Sequence, residues 1–118
     1  MNTKDKIPFS EFLEIEKKLD IRIGQIVAAE RVPKSNKLLK LTVIFGANEE
    51  DQKTVVTNIG STHEPDDLLA MPMPFIVNLE PVTMMGIVSE AMIVVGTNDY
   101  ADKPQVGLYD FSVGSKLI

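Results

Sequence analysis

The sequence predicts a mainly β domain: a five-stranded Greek-key barrel with one helix ahead of the first strand and a short one between the third and fourth. Three observations carry this expectation. Apolar residues alternate at period two over short runs from Ile21 onward, Gly, Pro and Asn turns bound those runs, and the apolar parity of the first run flips at Gly24. With 118 residues, 44% of them hydrophobic and 25% charged, the chain makes one domain over 1–118. Its core is large enough to fold without disulfides or metal.

Residues 10–19 read as the first helix. Ser10 suits the N-cap, Phe12, Ile15 and Leu19 recur at helical spacing, and Lys17 and Lys18 fall where the dipole favours cations. The barrel then spans 20–97. Ile21 and Ile23 share one parity, Ile26 and Ala28 the other, so a bulge at Gly24 is expected to keep both pairs inward. Val32-Pro33-Lys34-Ser35-Asn36 is a turn. Leu39, Leu41, Val43 and Phe45 alternate with Lys40 and Thr42 in a half-buried second strand. Glu49-Glu50-Asp51 is a hairpin tip, and 53–59 is the third strand, closed by Gly60.

Pro65, with Asp66 and Asp67 behind it, starts a short helix over 64–70. Strands follow at 75–79, ended by Pro81, and at 89–96, the latter apolar enough for burial on both faces. Residues 98–118 form a C-terminal extension, with Val106 to Phe111, Val113, Leu117 and Ile118 in one or two further strands. Five strands, a helix between the third and fourth and a bulged first strand describe the OB fold.

Enzyme chemistry is poorly supplied. Cys is absent, which removes thiol nucleophiles and Cys-based zinc sites and suits a reducing cytosol. His63 is the single histidine and reads as a loop residue. Asp99 and Asp102 flank an acidic loop without the Gly and terminal Glu of a calcium loop. No phosphate loop, nucleophile elbow or dinucleotide fingerprint occurs. The expectation is therefore a binding protein with no catalytic residues, no metal and no cofactor. The first six residues carry no apolar run behind them and no apolar stretch has membrane length, so neither leader nor membrane association is expected.

Charge is uneven. Residues 1–53 hold ten basic and nine acidic residues, whereas 54–118 hold two basic and eight acidic, and no cation lies between Lys53 and Lys103. With a net charge of −5 the chain repels nucleic acid at long range, so any RNA contact must be local and in the first half. Arg22, Arg31, Lys34, Lys37, Lys40 and Lys53 are the available cations.

Leu19-Asp20-Ile21-Arg22-Ile23-Gly24-Gln25-Ile26-Val27 resembles the opening of the tRNA-binding domain family. That family includes free-standing tRNA-binding proteins, the C-terminal domain of many methionyl-tRNA synthetases and CsaA-type secretion chaperones. Asn36-Lys37-Leu38, Glu64-Pro65-Asp66-Asp67-Leu68, Asn78-Leu79-Glu80-Pro81 and Gly86 followed by Ser89-Glu90-Ala91-Met92 resemble its further motifs in order, and 107–116 its free-standing extension. The departures are Glu80, Thr83 and Met85, where relatives are commonly basic, and Ala91, where many carry Gly.

The resemblance implies an OB face that binds tRNA by shape and backbone. Arg31, Lys34, Lys37 and Lys40 would contact phosphates, or else form a solvated strand face. Asn58 and Asn78 would read a base edge or ribose hydroxyl, or bond to their own turns. Ser89 and Glu90 would bond to RNA, or Glu90 would hold Lys37 or Arg31. Met92 would lie beneath a base or pack in the core. With no Trp, five Phe and two Tyr, mostly in core patterns, stacking platforms are few.

The resemblance also implies a cytoplasmic homodimer, paired through the extension and the N-terminal segment. Tyr109, Phe111 and Val113 supply apolar surface for that. Two other partners stay open: an unfolded export precursor held by Met71, Met73, Met84 and Met85, and a synthetase or other protein for which the domain is a scaffold.

Overall fold

The computed structural model describes residues 3–96 and 112–117. Helix α1 (Phe9–Lys18) begins before Ser10: Pro8 is its N-cap, no side chain caps it, and the Pro8 carbonyl accepts the Phe12 N–H at 3.1 Å. A proline enters a helix at no hydrogen-bond cost, because the first N–H groups lack intrahelical partners anyway. No residue of α1 is buried, and Phe9 stacks on Phe12 with ring centroids 5.8 Å apart. The helix is tied down at its far end by Asn78. Its Nδ2 donates to the Lys18 carbonyl at 2.6 Å and its Oδ1 accepts the Asp20 N–H at 2.9 Å.

Strands β1 (Ile21–Arg31), β2 (Leu39–Ile44) and β3 (Gln52–Thr57) form an antiparallel meander. Strand β4 (Pro72–Ile76) lies on the other side of β1, and β7 (Met92–Ile93) beyond it, giving the order β3-β2-β1-β4-β7. This nearly closed barrel encloses Ile26, Leu39, Leu41, Val43, Val55, Ile59, Leu68, Met73, Phe75, Ala91 and Ile93. The alternation expected in the second strand holds, with Leu39, Leu41 and Val43 buried.

The bulge is not at Gly24. Pairing with β4 runs regularly through Ile23↔Pro74, Gly24↔Met73 and Gln25↔Pro72, and the register against β2 slips between Ile26 and Ala28, leaving Val27 unpaired. Ile23 and Ile26 are both buried, yet only Ile26 belongs to the barrel cluster. Gly24 is needed for space. A Cβ there would stand 2.5 Å from Val43 Cγ1 and 2.6 Å from the Phe45 ring. The flip in parity marks burial on two faces of one strand.

The fourth strand begins at Pro72, earlier than expected. Opposite Pro74, Ile23 spends its N–H on Ser115 O at 2.9 Å and its carbonyl on the Gly114 N–H at 2.8 Å. The Ile23–Pro74 pair therefore exchanges no bond across the ladder, and the missing proline donor costs nothing there. The predicted short helix is a 3-10 turn over Pro65–Leu68 that inserts Leu68 into the core.

The expected fifth strand over 89–96 breaks at Glu90. Strand β6 (Ile87–Ser89) pairs in a hairpin with β5 (Val82–Met84), and β7 follows separately. Met85 and Gly86, at φ 49° and 82°, make the left-handed two-residue turn between β5 and β6. Met92 and Val94 are exposed rather than buried. Strand β8 (Lys116–Leu117) pairs with Ile21 and Arg22 and fills the gap beside β1 that β2 does not reach. The expected strand at Val106 to Phe111, with Tyr109, lies outside the described residues.

Candidate nucleic-acid interface

A groove of about 260 Å³ runs along the outside of the barrel between β3 and the β5–β6 hairpin. Leu38, Val56, Asn58, Met84, Met92 and Val95 line it. It continues past Met84 and Met92 to Leu79, Glu80 and Val82. Met92, 55% exposed, lines both parts, so it does not pack in the core.

Lys34 and Lys37 stand on the turn that contributes Leu38. That turn is rigid: Val32 N–H donates to Leu38 O, Ser35 N–H to Val32 O, and Ser35 Oγ accepts from the amides of Lys37 and Leu38. Lys34 adopts φ 66° to make it. The other proposed phosphate ligands are engaged. Arg31 donates to Gly60 O at 2.7 Å and pairs with Glu64 at 3.1 Å, while Lys40 pairs with Glu30 at 3.6 Å. Lys34, Lys37 and Lys53 enter no ion pair among the described residues.

Ser89, which lines the further part of the groove, and Glu90 next to it close the barrel against β3. Ser89 Oγ, in a buried residue, accepts the Val56 N–H at 2.9 Å and donates to Ala91 O at 3.3 Å. Glu90 Oε1 accepts the Thr54 N–H at 3.2 Å, and the Glu90 N–H donates to Thr54 O at 2.8 Å. Two side chains thus satisfy the edge of β3 where a neighbouring strand would otherwise do so. Glu90 therefore holds neither Lys37 nor Arg31. Val56, whose N–H meets Ser89, is itself buried. Asn78 is likewise spent on backbone groups beside α1, away from Asn58.

Two of the four methionines put forward as a peptide surface are not exposed. Met73 is fully buried opposite Gly24, where its side chain fills the core, and Met71 packs against the same cluster. Met84 and Met85 are exposed, together with Val82 and Val88 of the same hairpin. The expected core role of the aromatics holds for Phe45 and Phe75, whose rings meet edge to face at 5.5 Å, but not for exposed Phe12. His63 Nδ1 lies 3.0 Å from Thr62 Oγ1 in the loop after Gly60.

A second depression at the other end of β3 is lined by Asp20, Arg22, Asp51, Lys53 and apolar Phe45 and Val77. Arg22 Nε donates to Asp20 at 2.6 Å. That bond, opposed in part by desolvation and aided by the charges of Arg22 and Lys116, holds the Asp20 carboxyl below its ordinary range and raises Arg22. Arg22 is therefore already neutralised as a phosphate ligand.

Residues 21–116 match the family model "Putative tRNA binding domain". The chain belongs to that family. It is 42% identical over 99 residues to a methionine–tRNA ligase of Methanococcoides burtonii, a stretch covering 84% of this chain and 14% of that protein. The ligase of Methanocaldococcus jannaschii is 36% identical over 101 residues, 85% of this chain and 15% of the ligase. The chain thus spans about one seventh of the length of these relatives. Among solved structures, a MetRS-related protein from Pyrococcus horikoshii superposes with TM-score 0.77 at 25% identity, covering 98% of this chain and 100% of that one. The chaperone CsaA from Bacillus anthracis gives 0.73 at 26% identity, covering 97% and 100%. The OB architecture is common to both.

Sequence reasoning did not find Leu38, Val56 and Val95 as groove residues, because period-two patterning assigns apolar side chains to the core. Gly60 carried a signal that was legible only as a strand end. A Cβ on it would stand 2.7 Å from the Lys37 carbonyl oxygen.

Proposed function

We propose that this chain is a non-catalytic, cytoplasmic tRNA-binding protein that uses the groove between β3 and the β5–β6 hairpin. The observation that carries the reading is the juxtaposition, in a member of this family, of an apolar groove with an unpaired lysine pair on one rigid turn. Lys34 and Lys37 would neutralise phosphates, Met92 and Met84 would take the flat faces of unstacked bases, and Asn58 offers an amide for a base edge or ribose hydroxyl. Binding is an equilibrium with no bond made or broken. Two phosphate contacts per subunit give a salt slope of only about −1.4 to −1.8 in log affinity against log salt.

The test is a gel shift against total tRNA, duplex DNA and an unfolded peptide across a salt series. A tRNA shift with that shallow slope, loosened by Lys37→Ala, is expected. Glu80→Lys with Met85→Arg should tighten binding and steepen the slope. No tRNA shift at low salt in either the wild type or the double variant overturns the reading.

One observation favours a second activity. The hairpin exposes Val82, Met84, Met85 and Val88, a surface suited to an apolar polypeptide, and a solved CsaA chaperone shares the fold. Capture of the unfolded peptide in the same assay, in competition with tRNA, would assign this activity, and a synthetase would be sought as partner if neither bound. Homodimerisation is part of the proposal: α1 offers exposed Phe9, Phe12, Leu13 and Ile15, and none of its residues is buried. Light scattering of the full chain should give twice the monomer mass.

A further inference from the structure

We propose that Arg31 is a positioning residue that fixes the Lys34–Lys37 turn rather than a phosphate ligand; this rests on the tRNA-binding reading above. The turn leaves the barrel at Arg31, the last residue of β1, and returns at Leu39, its partner in β2. Across the turn stands one residue, Gly60, which offers a backbone group on each side. Its carbonyl accepts Arg31 Nη1 at 2.7 Å, and its N–H donates to the Lys37 carbonyl at 2.7 Å. The chain thereby forms a closed circuit from Arg31 through Gly60 to Lys37 and back through the turn. Glu64 adds an ion pair at 3.1 Å from Nη2, so the guanidinium makes one hydrogen bond to backbone and faces one carboxylate.

Both short bonds need Gly60. A Cβ there would stand 2.7 Å from Lys37 O and 3.2 Å from Leu39 Cδ2, against backbone that the Ser35 bonds hold still. The loop after β3 is therefore seated flush against the turn, and Arg31 clamps it. Lysine cannot replace this clamp, because a single ammonium on a flexible stem does not reproduce a planar guanidinium that bonds to the Gly60 carbonyl through one nitrogen and faces Glu64 with the other. A phosphate ligand, in contrast, needs chiefly the charge.

The experiment compares the full chain with Arg31→Lys, Lys37→Ala, the double variant and Glu64→Gln. Binding to total tRNA is measured across a salt series, and amide hydrogen exchange at Gly60 is measured without RNA. Positioning predicts that Arg31→Lys weakens tRNA binding about threefold to fivefold, the scale of one exposed ion pair, despite keeping its charge. The double variant should bind no more weakly than Lys37→Ala, since both remove the same contact. Glu64→Gln, which leaves the Arg31 charge unopposed, should not tighten binding. Faster exchange at Gly60 in Arg31→Lys is expected.

Wild-type affinity in Arg31→Lys, additive losses in the double variant, or tighter binding by Glu64→Gln would make Arg31 a direct phosphate ligand and overturn the proposal. The exchange measurement separates this from failure of the tRNA reading. If the wild type binds no tRNA, unchanged Gly60 protection in Arg31→Lys still refutes the clamp, and lost protection still supports it.

Discussion

Replacing Ser89 with Ala tests whether this residue serves the barrel or the ligand. The hydroxyl satisfies a buried N–H, that of Val56, at 2.9 Å, and donates to the Ala91 carbonyl at 3.3 Å. Removing one oxygen leaves almost no cavity, so the cost is electrostatic. A stranded buried donor costs about 1–3 kcal/mol, and the longer bond to Ala91 adds a few tenths. The expected loss is about 2 kcal/mol. For 118 residues, unfolding entropy converts each kcal/mol into roughly 4 °C, so the Tm should fall by about 8 °C. Thermal and urea unfolding by circular dichroism measure this, and amide exchange at Val56 should accelerate. tRNA affinity at a temperature where the variant is folded should change little. A Tm within 2 °C of wild type, unchanged Val56 protection and lost tRNA binding would refute the reasoning and return Ser89 to the ligand site.

Gly114→Ala should release the C-terminal strand, because φ is 87° there and a Cβ would stand 2.7 Å from the Phe45 carbonyl oxygen. Exchange at the Ile23 amide, bonded to Ser115 O, should rise by an order of magnitude or more, for about 1–3 kcal/mol of local strain, while the Val56 amide stays protected. Asp20→Asn should reduce stability slightly at neutral pH and not at acid pH. The lowered folded-state value means that the Asp20 contribution is complete above the ordinary carboxylate pKa, about 3.9, and is lost as pH falls through the folded value. Urea midpoints of the two proteins across pH 2–7 should converge at the acid end, by a small margin because the pair is half exposed.

The barrel was legible in the sequence because β2 obeys simple patterning and Pro65 opens the short helical turn where expected, although β3 and β4 end at Thr57 and Ile76, before Gly60 and Pro81. Gly24 misled in an instructive way. A parity flip signals a bulge when one face is buried, but β1 buries Ile26 in the barrel and Ile23 outside it, with the backbone of Ile23 bonded to the returning residues Gly114 and Ser115. Long-range cover of that kind leaves no local trace. The same limit applies at the site. Lys37 and Met92 could be named from residue type and position, yet nothing near Arg31 or Asn78 in sequence reveals Glu64, Gly60 or Lys18 as the partners that occupy them. Motif residues read as ligand contacts proved to include structural ones, since Ser89 and Glu90 secure backbone groups 33 and 36 positions away.

That sequence separation gives the seam a place in time. Strands β1, β2 and β3 are joined by short turns and can zip together early, whereas the bonds of Ser89 and Glu90 must wait for the chain between them to be ordered. Interactions formed after the folding barrier act on the unfolding rate alone. If the seam forms after that barrier, the barrel opens at this line first, like a cylinder slit along one side. What it bares is the edge of β3, with Val55 and Val56 beside it, an unpaired apolar strand of the kind that recruits other chains into aggregates. A serine hydroxyl and a glutamate carboxylate are thus the guard on that edge, and faster unfolding with unchanged folding in Ser89→Ala is the expected sign that the seam closes last.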